Sequence, residues 1–258
     1  MTSPASLFDV ADRLALVTGS SRGLGLALAG ALAEAGARVL LHGRDEAALA
    51  AAQDLLEERT GRRPAAVRFD VADAEAVEAG SRQLLAEHGA PDILVNNAGI
   101  QRRAPMPEFP VEDWDAVIAT NLSSAFYVSR FLVPEMVRRG SGKIVNIASV
   151  QSRLARQTIA PYSASKGGIV LLTQGMAADL ARHNVQVNAL SPGYFATEMN
   201  QTLVQDEEFS TWLAQRTPAG RWGEVHELTG ALLFLASSAS DFVSGQNIVV
   251  DGGITAVV

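Results

Sequence analysis

The chain has 258 residues, 48% hydrophobic and 19% charged, which is enough apolar material for one sizeable α/β core and too much for a disordered chain. A formal net charge of −7 argues against a general nucleic-acid binder, and the lack of cysteine excludes disulfides, thiol nucleophiles and zinc–thiolate sites. His42, His88, His183 and His226 show no paired ligand spacing, so no metal centre is expected.

The first thirteen residues carry no basic cluster followed by an apolar stretch, and no apolar run approaches the ~20 residues that span a bilayer. A cytoplasmic protein is expected. Residues 14–18, 38–41, 66–69, 93–95, 143–147, 185–188 and 247–250 are short and almost continuously apolar, as strands buried on both faces are. Helical stretches such as 24–35, 46–59 and 74–88 lie between them, with Gly36 and Gly89 placed as helix-ending glycines. The alternation implies right-handed crossovers and a doubly wound, Rossmann-like parallel sheet in a single domain over residues 1–258. Only residues 195–222, with two tryptophans and Pro218-Ala219-Gly220, break the pattern, and they are expected to form a small helical substrate lid.

Two groups of residues carry chemistry. After the first strand comes Thr18-Gly19-Ser20-Ser21-Arg22-Gly23-Leu24-Gly25, opening a helix. Glycines there let the backbone approach a pyrophosphate, and the helix start offers free N–H groups and partial positive charge. Farther on, Tyr162 and Lys166 stand four apart at the start of a long helical stretch and share one of its faces. A phenol titrates near ~10, and a neighbouring ammonium favours its ionised form, which suits general acid–base work. Ser149 follows the fifth strand, at the sheet edge where sites of such folds form, and its hydroxyl can donate to a carbonyl oxygen. Asn121 sits inside a helix expected over 111–139, a poor place for asparagine on propensity.

The spacing Gly-x3-Gly-x-Gly, together with Asn121, Ser149, Tyr162 and Lys166, resembles the short-chain dehydrogenase/reductase family over residues 13–253. The resemblance implies a catalytic tetrad of those four residues, with Tyr162 as proton donor and acceptor. Lys166 would hold the cofactor ribose, and Asn121 a water linking the lysine to solvent. It implies a cofactor site built from Gly19, Ser21, Arg22, Gly23, Leu24 and Gly25, with Asp70 and Val71 at the adenine. Asn97, Ala98 and Gly99, Pro192 and Gly193, and Thr197 would flank the nicotinamide, and the assembly would be a homotetramer with the helices of Asn121 and Tyr162 at one interface. Gly43 stands where the NAD-preferring branch carries an acid, so Arg44 and Arg22 are expected to face the 2′-phosphate of NADP(H). The alternative is that Arg44 is merely solvated and Asp45 serves NAD.

On the substrate side, Arg102 and Arg103 follow the fourth strand, and Gln151, Arg153 and Arg156 follow Ser149. Basic groups on two neighbouring loops of an acidic protein point to a small carboxylate, and the other reading is surface ion pairing. Residues 96–103, 149–166, 192–200 and 216–223 resemble the gluconate 5-dehydrogenases of the family, which implies NADP-linked interconversion of D-gluconate and 5-dehydro-D-gluconate. A 3-oxoacyl-(acyl-carrier-protein) reductase, docking an acidic carrier on those arginines, is the rival enzyme. A non-catalytic NADPH-sensing regulator is the rival of another class. The apolar tail 247–258 is expected at a subunit contact.

Overall fold

The computed structural model describes residues 3–257, apart from the side chain of Met199; Met199, in the stretch 192–200, and Val258, at the end of the tail, lie outside the described side chains. The strands are β1 (Leu14–Val17), β2 (Arg38–Gly43), β3 (Ala65–Arg68), β4 (Ile93–Asn96), β5 (Gly142–Ile147), β6 (Val185–Pro192) and β7 (Asn247–Val250). They form one parallel sheet in the order β3-β2-β1-β4-β5-β6-β7. β1, β4, β5 and β6 are buried along their whole length, which is why most of their residues are apolar. β6 runs four residues past the expected 185–188, through Asn188 and Ser191, because a central strand satisfies buried polar side chains through its neighbours: Asn188 donates to Val243 O and Ser191 to Asn247 Oδ1.

One face carries α1 (Gly23–Glu34), α2 (Glu46–Thr60) and α9 (Thr229–Ala236), whose Leu28, Leu32, Leu56 and Leu232 join Val17, Val39 and Val145 in a common core. The other carries α3 (Ala74–His88), α5 (Ser124–Arg139) and α6 (Ala160–Leu180), with Leu84, Leu132, Met136 and Ala177 against Leu16, Leu94 and Val187. The connection changes faces between β1 and β4, so a crevice opens at their carboxyl ends.

The helix expected over 111–139 is continuous, but α4 (Val111–Ile118) passes into α5 through a π turn at Ala119–Ser123. On length and composition alone Val111–Arg139 could cross a membrane. Its Val128, Leu132 and Met136 are instead packed into the core. The stretch 195–222 holds two short helices, α7 (Gln201–Val204) and α8 (Glu207–Arg216), and is joined to β7's end by Ala219 N–H donating to Gly252 O. In the tail, Ile254 is buried within the chain while Val257 is exposed.

A buried polar chain fixes α5 and α6 to the sheet. Asn96 Nδ2 donates to Ser129 Oγ (3.1 Å) and to Asn146 Oδ1 (2.8 Å), and Asn146 Nδ2 donates to Thr173 Oγ1 (2.9 Å). Asn146→Ala takes away one of the two acceptors of the buried Asn96 amide and the donor to Thr173, and should lower unfolding free energy by about 1–3 kcal/mol in urea titrations. An unchanged midpoint would show that the chain adds nothing to stability.

Candidate active site

The crevice is a cleft of about 840 Å³ running from the loop after β1 to the start of α6. Every residue expected at the cofactor lines it: the glycine loop, Arg44, Asp70 and Val71, Asn97 to Gly99, Tyr162, Lys166, Pro192, Gly193 and Thr197. Gly19 has φ +63°, and a Cβ there would meet Ala98 Cα at 2.9 Å. A Cβ on Gly25 would collide with Gly19 O and Asn97 Nδ2. The first turn of α1 is thereby drawn against the loop, leaving its early N–H groups at the cleft. Thr18 Oγ1 accepts from both Asn97 N–H (2.9 Å) and Ala98 N–H (3.1 Å), and Asn97 Nδ2 donates back to Thr18 O (2.9 Å), so the ends of β1 and β4 are stapled together.

His42, which the sequence reading did not single out, borders the same cleft. Its Nδ1 accepts from Gly19 N–H at 3.1 Å, so Nε2 carries the proton, 3.2 Å from Phe69 O. Burial pushes its pKa down to about 4, opposed by Phe69 O and Asp70 and helped by Arg44. A lone histidine on a strand has no sequence signal that would separate this arrangement from a packed core residue.

At the end of β2, Asp45 is spent as the N-cap of α2, its carboxylate accepting from Ala48 N–H at 3.0 Å. Arg44, 70% exposed, meets Asp70 at 3.0 Å. Burial disfavours the Asp70 charge, but Ala72 N–H and Arg44 outweigh it and hold its pKa below the usual value. Such an exposed pair is weak and easily redirected toward an incoming anion.

At the other end of the cleft lie Ser149, Tyr162 and Lys166, three of the four residues expected as a tetrad, while Asn121 stands behind its lining. Lys166, 4% exposed, donates to Ile147 O at 2.7 Å and lies 5.7 Å from the centre of the Tyr162 ring. Burial lowers its pKa to about 8. Burial likewise pushes the Tyr162 phenol above its ordinary value, against the hydrogen bond with Ser149. In the protein alone the phenol is therefore raised rather than lowered, with burial the largest influence on it. Ser149 Oγ accepts from Gln151 N–H at 3.1 Å, leaving its hydroxyl proton free to donate. Asn121 lies in the π turn and pins a neighbouring loop: Ile100 N–H donates to its Oδ1 (2.8 Å), and its Nδ2 donates to Ile100 O (2.9 Å) and Ser165 Oγ (3.2 Å). The π turn explains an asparagine in mid-helix, since such turns interrupt helical hydrogen bonding where a site needs the backbone or side chain elsewhere.

The substrate-side residues divide. Arg102 lines the cleft and is paired with Asp113 at 3.3 Å, and Arg153 is exposed, with its charge felt by Asp251. Arg103 and Arg156 have no carboxylate partner among the described residues. Burial and then the nearby Arg156 lower the pKa of Arg103, and Arg156 lies over the Phe209 ring at 5.2 Å. Gln151, 8% exposed, donates to Tyr194 Oη at 3.2 Å, while its Oε1 is buried without a partner. Tyr194 in turn packs with Phe209, Trp212 and Trp222 of the 195–222 stretch. Gln101, Glu198 and Asn200 also line the cleft and carry no motif that would have flagged them.

His42 titrates below its ordinary 6.5, so between pH 6.5 and about 4 the unfolded chain takes up a proton that the folded one refuses. Stability falls across that window as pH drops, and the loss is complete below about 4. Urea midpoints should fall more steeply for the wild type than for His42→Phe; parallel curves would remove His42 from the acid response.

A family model described as "Enoyl-(Acyl carrier protein) reductase" matches residues 19–255. The chain is 54% identical over 253 residues to a gluconate 5-dehydrogenase of Gluconobacter oxydans (98% of each chain). It is 47% identical to a 5-keto-D-gluconate 5-reductase of Escherichia coli K12 (98% of this chain, 99% of the other). A crystal structure of a gluconate 5-dehydrogenase from Burkholderia cenocepacia in complex with NADP and tartrate superposes with a TM-score of 0.95 at 52% identity, covering 99% of this chain and 100% of that one. With that sheet order and that extent of likeness, the chain belongs to the short-chain dehydrogenase/reductase family of oxidoreductases.

Proposed function

We propose that the chain is an NADP(H)-dependent oxidoreductase that interconverts D-gluconate and 5-dehydro-D-gluconate. The observation that carries this is one cleft with a glycine cradle at one end and Ser149, Tyr162 and Lys166 at the other. The cradle suits a dinucleotide: there is no room for a Cβ at Gly19 or Gly25, a helix start faces the cleft, and Arg22 and Arg44 border it. With Asp45 committed to capping α2, no carboxylate at the end of β2 is left for a ribose 2′-OH, which favours the phosphorylated cofactor. The bound cofactor supplies a hydride to the substrate's carbonyl carbon.

Ser149 donates a hydrogen bond to the carbonyl oxygen, and Tyr162 delivers the proton that the forming alkoxide needs. A phenol held above its ordinary pKa is fully protonated at neutral pH, the state this direction requires. Lys166, cationic below about 8, contributes positive charge beside the phenol and leaves N–H groups for a ribose. Asn121 keeps the Ile100 peptide and the first turn of α6 in register. Oxidation of the alcohol is the reverse, with Tyr162 taking the proton.

Arg103 and Arg156, two cations without an acidic partner, favour a carboxylate substrate, and the orphaned Gln151 Oε1 suits a hydroxyl donor of a polyol. Residues 195–222 act as the lid, resting Phe209 on Arg156. The assembly is a homotetramer, with the exposed Phe126 and Leu171 of α5 and α6 covered at one interface, and it works in the cytoplasm.

NADPH consumption should be measured over sugar acids, simple ketones and acetoacetyl thioesters. Turnover of 5-dehydro-D-gluconate is expected; turnover of the thioester alone would favour a carrier-protein reductase, and NADPH binding with no oxidation of any carbonyl would favour a sensor. Tyr162→Phe should cut turnover by roughly 10²–10⁴-fold with NADPH binding retained, and substantial remaining activity would remove Tyr162 from its role. In Gly43→Asp, the new Cβ would sit 3.3 Å from Ser21 and bring a negative charge to the 2′-phosphate end. The ratio of kcat/KM for NADPH over NADH should fall by at least about tenfold, and an unchanged ratio would refute the NADP assignment.

A further inference from the structure

The N–H of Gly19 opens the glycine loop, and it is taken by a side chain. His42 Nδ1 accepts it at 3.1 Å, from a ring only 2% exposed. Two further hydrogen bonds lock the same pair of segments: Ser20 N–H donates to His42 O, and His42 N–H donates to Ser20 Oγ, both at 2.9 Å. On its far side the ring is held by Nε2–H toward Phe69 O at 3.2 Å and by the Phe69 ring, whose centroid is 4.3 Å away. Phe69 is itself pressed against Gly80 of α3, where a Cβ would collide with it. The acceptor nitrogen therefore stands on a fixed mount between β3 and the loop.

Only one polarity of ring satisfies both ends. Gly19 offers a donor and Phe69 an acceptor, so the side chain must accept at its δ position and donate at its ε position. A hydrocarbon ring of equal size fills the space but takes away the partner of the half-buried Gly19 N–H, leaving its peptide free to turn. In a loop with φ +63° at Gly19, rotation of that peptide moves Ser20 and the first N–H groups of α1.

We propose that His42 is a positioning residue for the dinucleotide: by accepting the Gly19 N–H it presets the loop in the shape that receives the pyrophosphate. This rests on the reading of the cleft as an NADPH site. The role belongs to the acceptor at the δ position, not to the ring as packing. Asparagine keeps an acceptor there and loses the bond to Phe69; glutamine keeps a donor that reaches toward Phe69 and loses the acceptor; phenylalanine keeps the volume and loses both.

Titration of the full-length protein with NADPH, followed by nicotinamide fluorescence, together with thermal melts of the apo protein, separates the cases. All three variants are expected to melt below the wild type. His42→Asn should bind NADPH within about twofold of the wild type, while His42→Gln and His42→Phe should bind about tenfold more weakly. Should His42→Phe fail to fold, the contrast of Asn with Gln decides. Equal weakening in Asn and Gln, or wild-type affinity in Gln, overturns this inference alone. A wild-type protein that binds no NADPH overturns it together with the cofactor assignment.

Discussion

The site exists because the chain leaves β1 in one direction and comes back to β4 from the other, so the two strands' carboxyl ends have no connection packed over them. The gap would be loose without a tie. Thr18 and Asn97 provide one, exchanging a hydroxyl acceptor for two backbone N–H groups and a side-chain amide for a carbonyl. Gly25 then lets α1 begin directly against the tied ends. The glycine loop and the wall carrying Asn97 to Gly99 are thus set by one small cluster of hydrogen bonds.

Burial does opposite things to the charged groups around this cleft. It pushes Lys166 and His42 down and Tyr162 up, in each case toward the neutral form. For His42 neutrality is structural, since a protonated Nδ1 could not accept from Gly19. For Tyr162 it stores the proton that a reduction consumes. Lys166 differs because a pKa of about 8 leaves it mostly cationic at neutral pH, and Ile147 O is its only described hydrogen-bond partner. Its remaining N–H groups are the unspent capacity of the site.

Arginines that look equivalent along the chain are not equivalent in space. Arg102 is neutralised by Asp113, and Arg153 is exposed with Asp251 in reach of its charge. Arg103 and Arg156 approach each other from two loops, and Phe209 of the 195–222 stretch covers one of them. The same aromatic segment that covers Arg156 reaches Gln151 through Tyr194.

The sequence alone determined the strands, their parallel alternation, the glycine loop and the pairing of Tyr162 with Lys166, because those signals are local: a doubly buried strand is mostly apolar, and a phenol four residues before an ammonium shares its face by helix geometry. Helix 111–139 was legible too, but its π turn was not, since the bonds of Asn121 go to Ile100 and Ser165 rather than along the helix. Only the tertiary structure decided that, among the described residues, Arg103 and Arg156 lack an acid, and that His42 holds Gly19. In each case the partner is chosen by where helices and loops dock after the sheet has formed, and hydrogen bonds between residues far apart in the chain leave no periodicity to read.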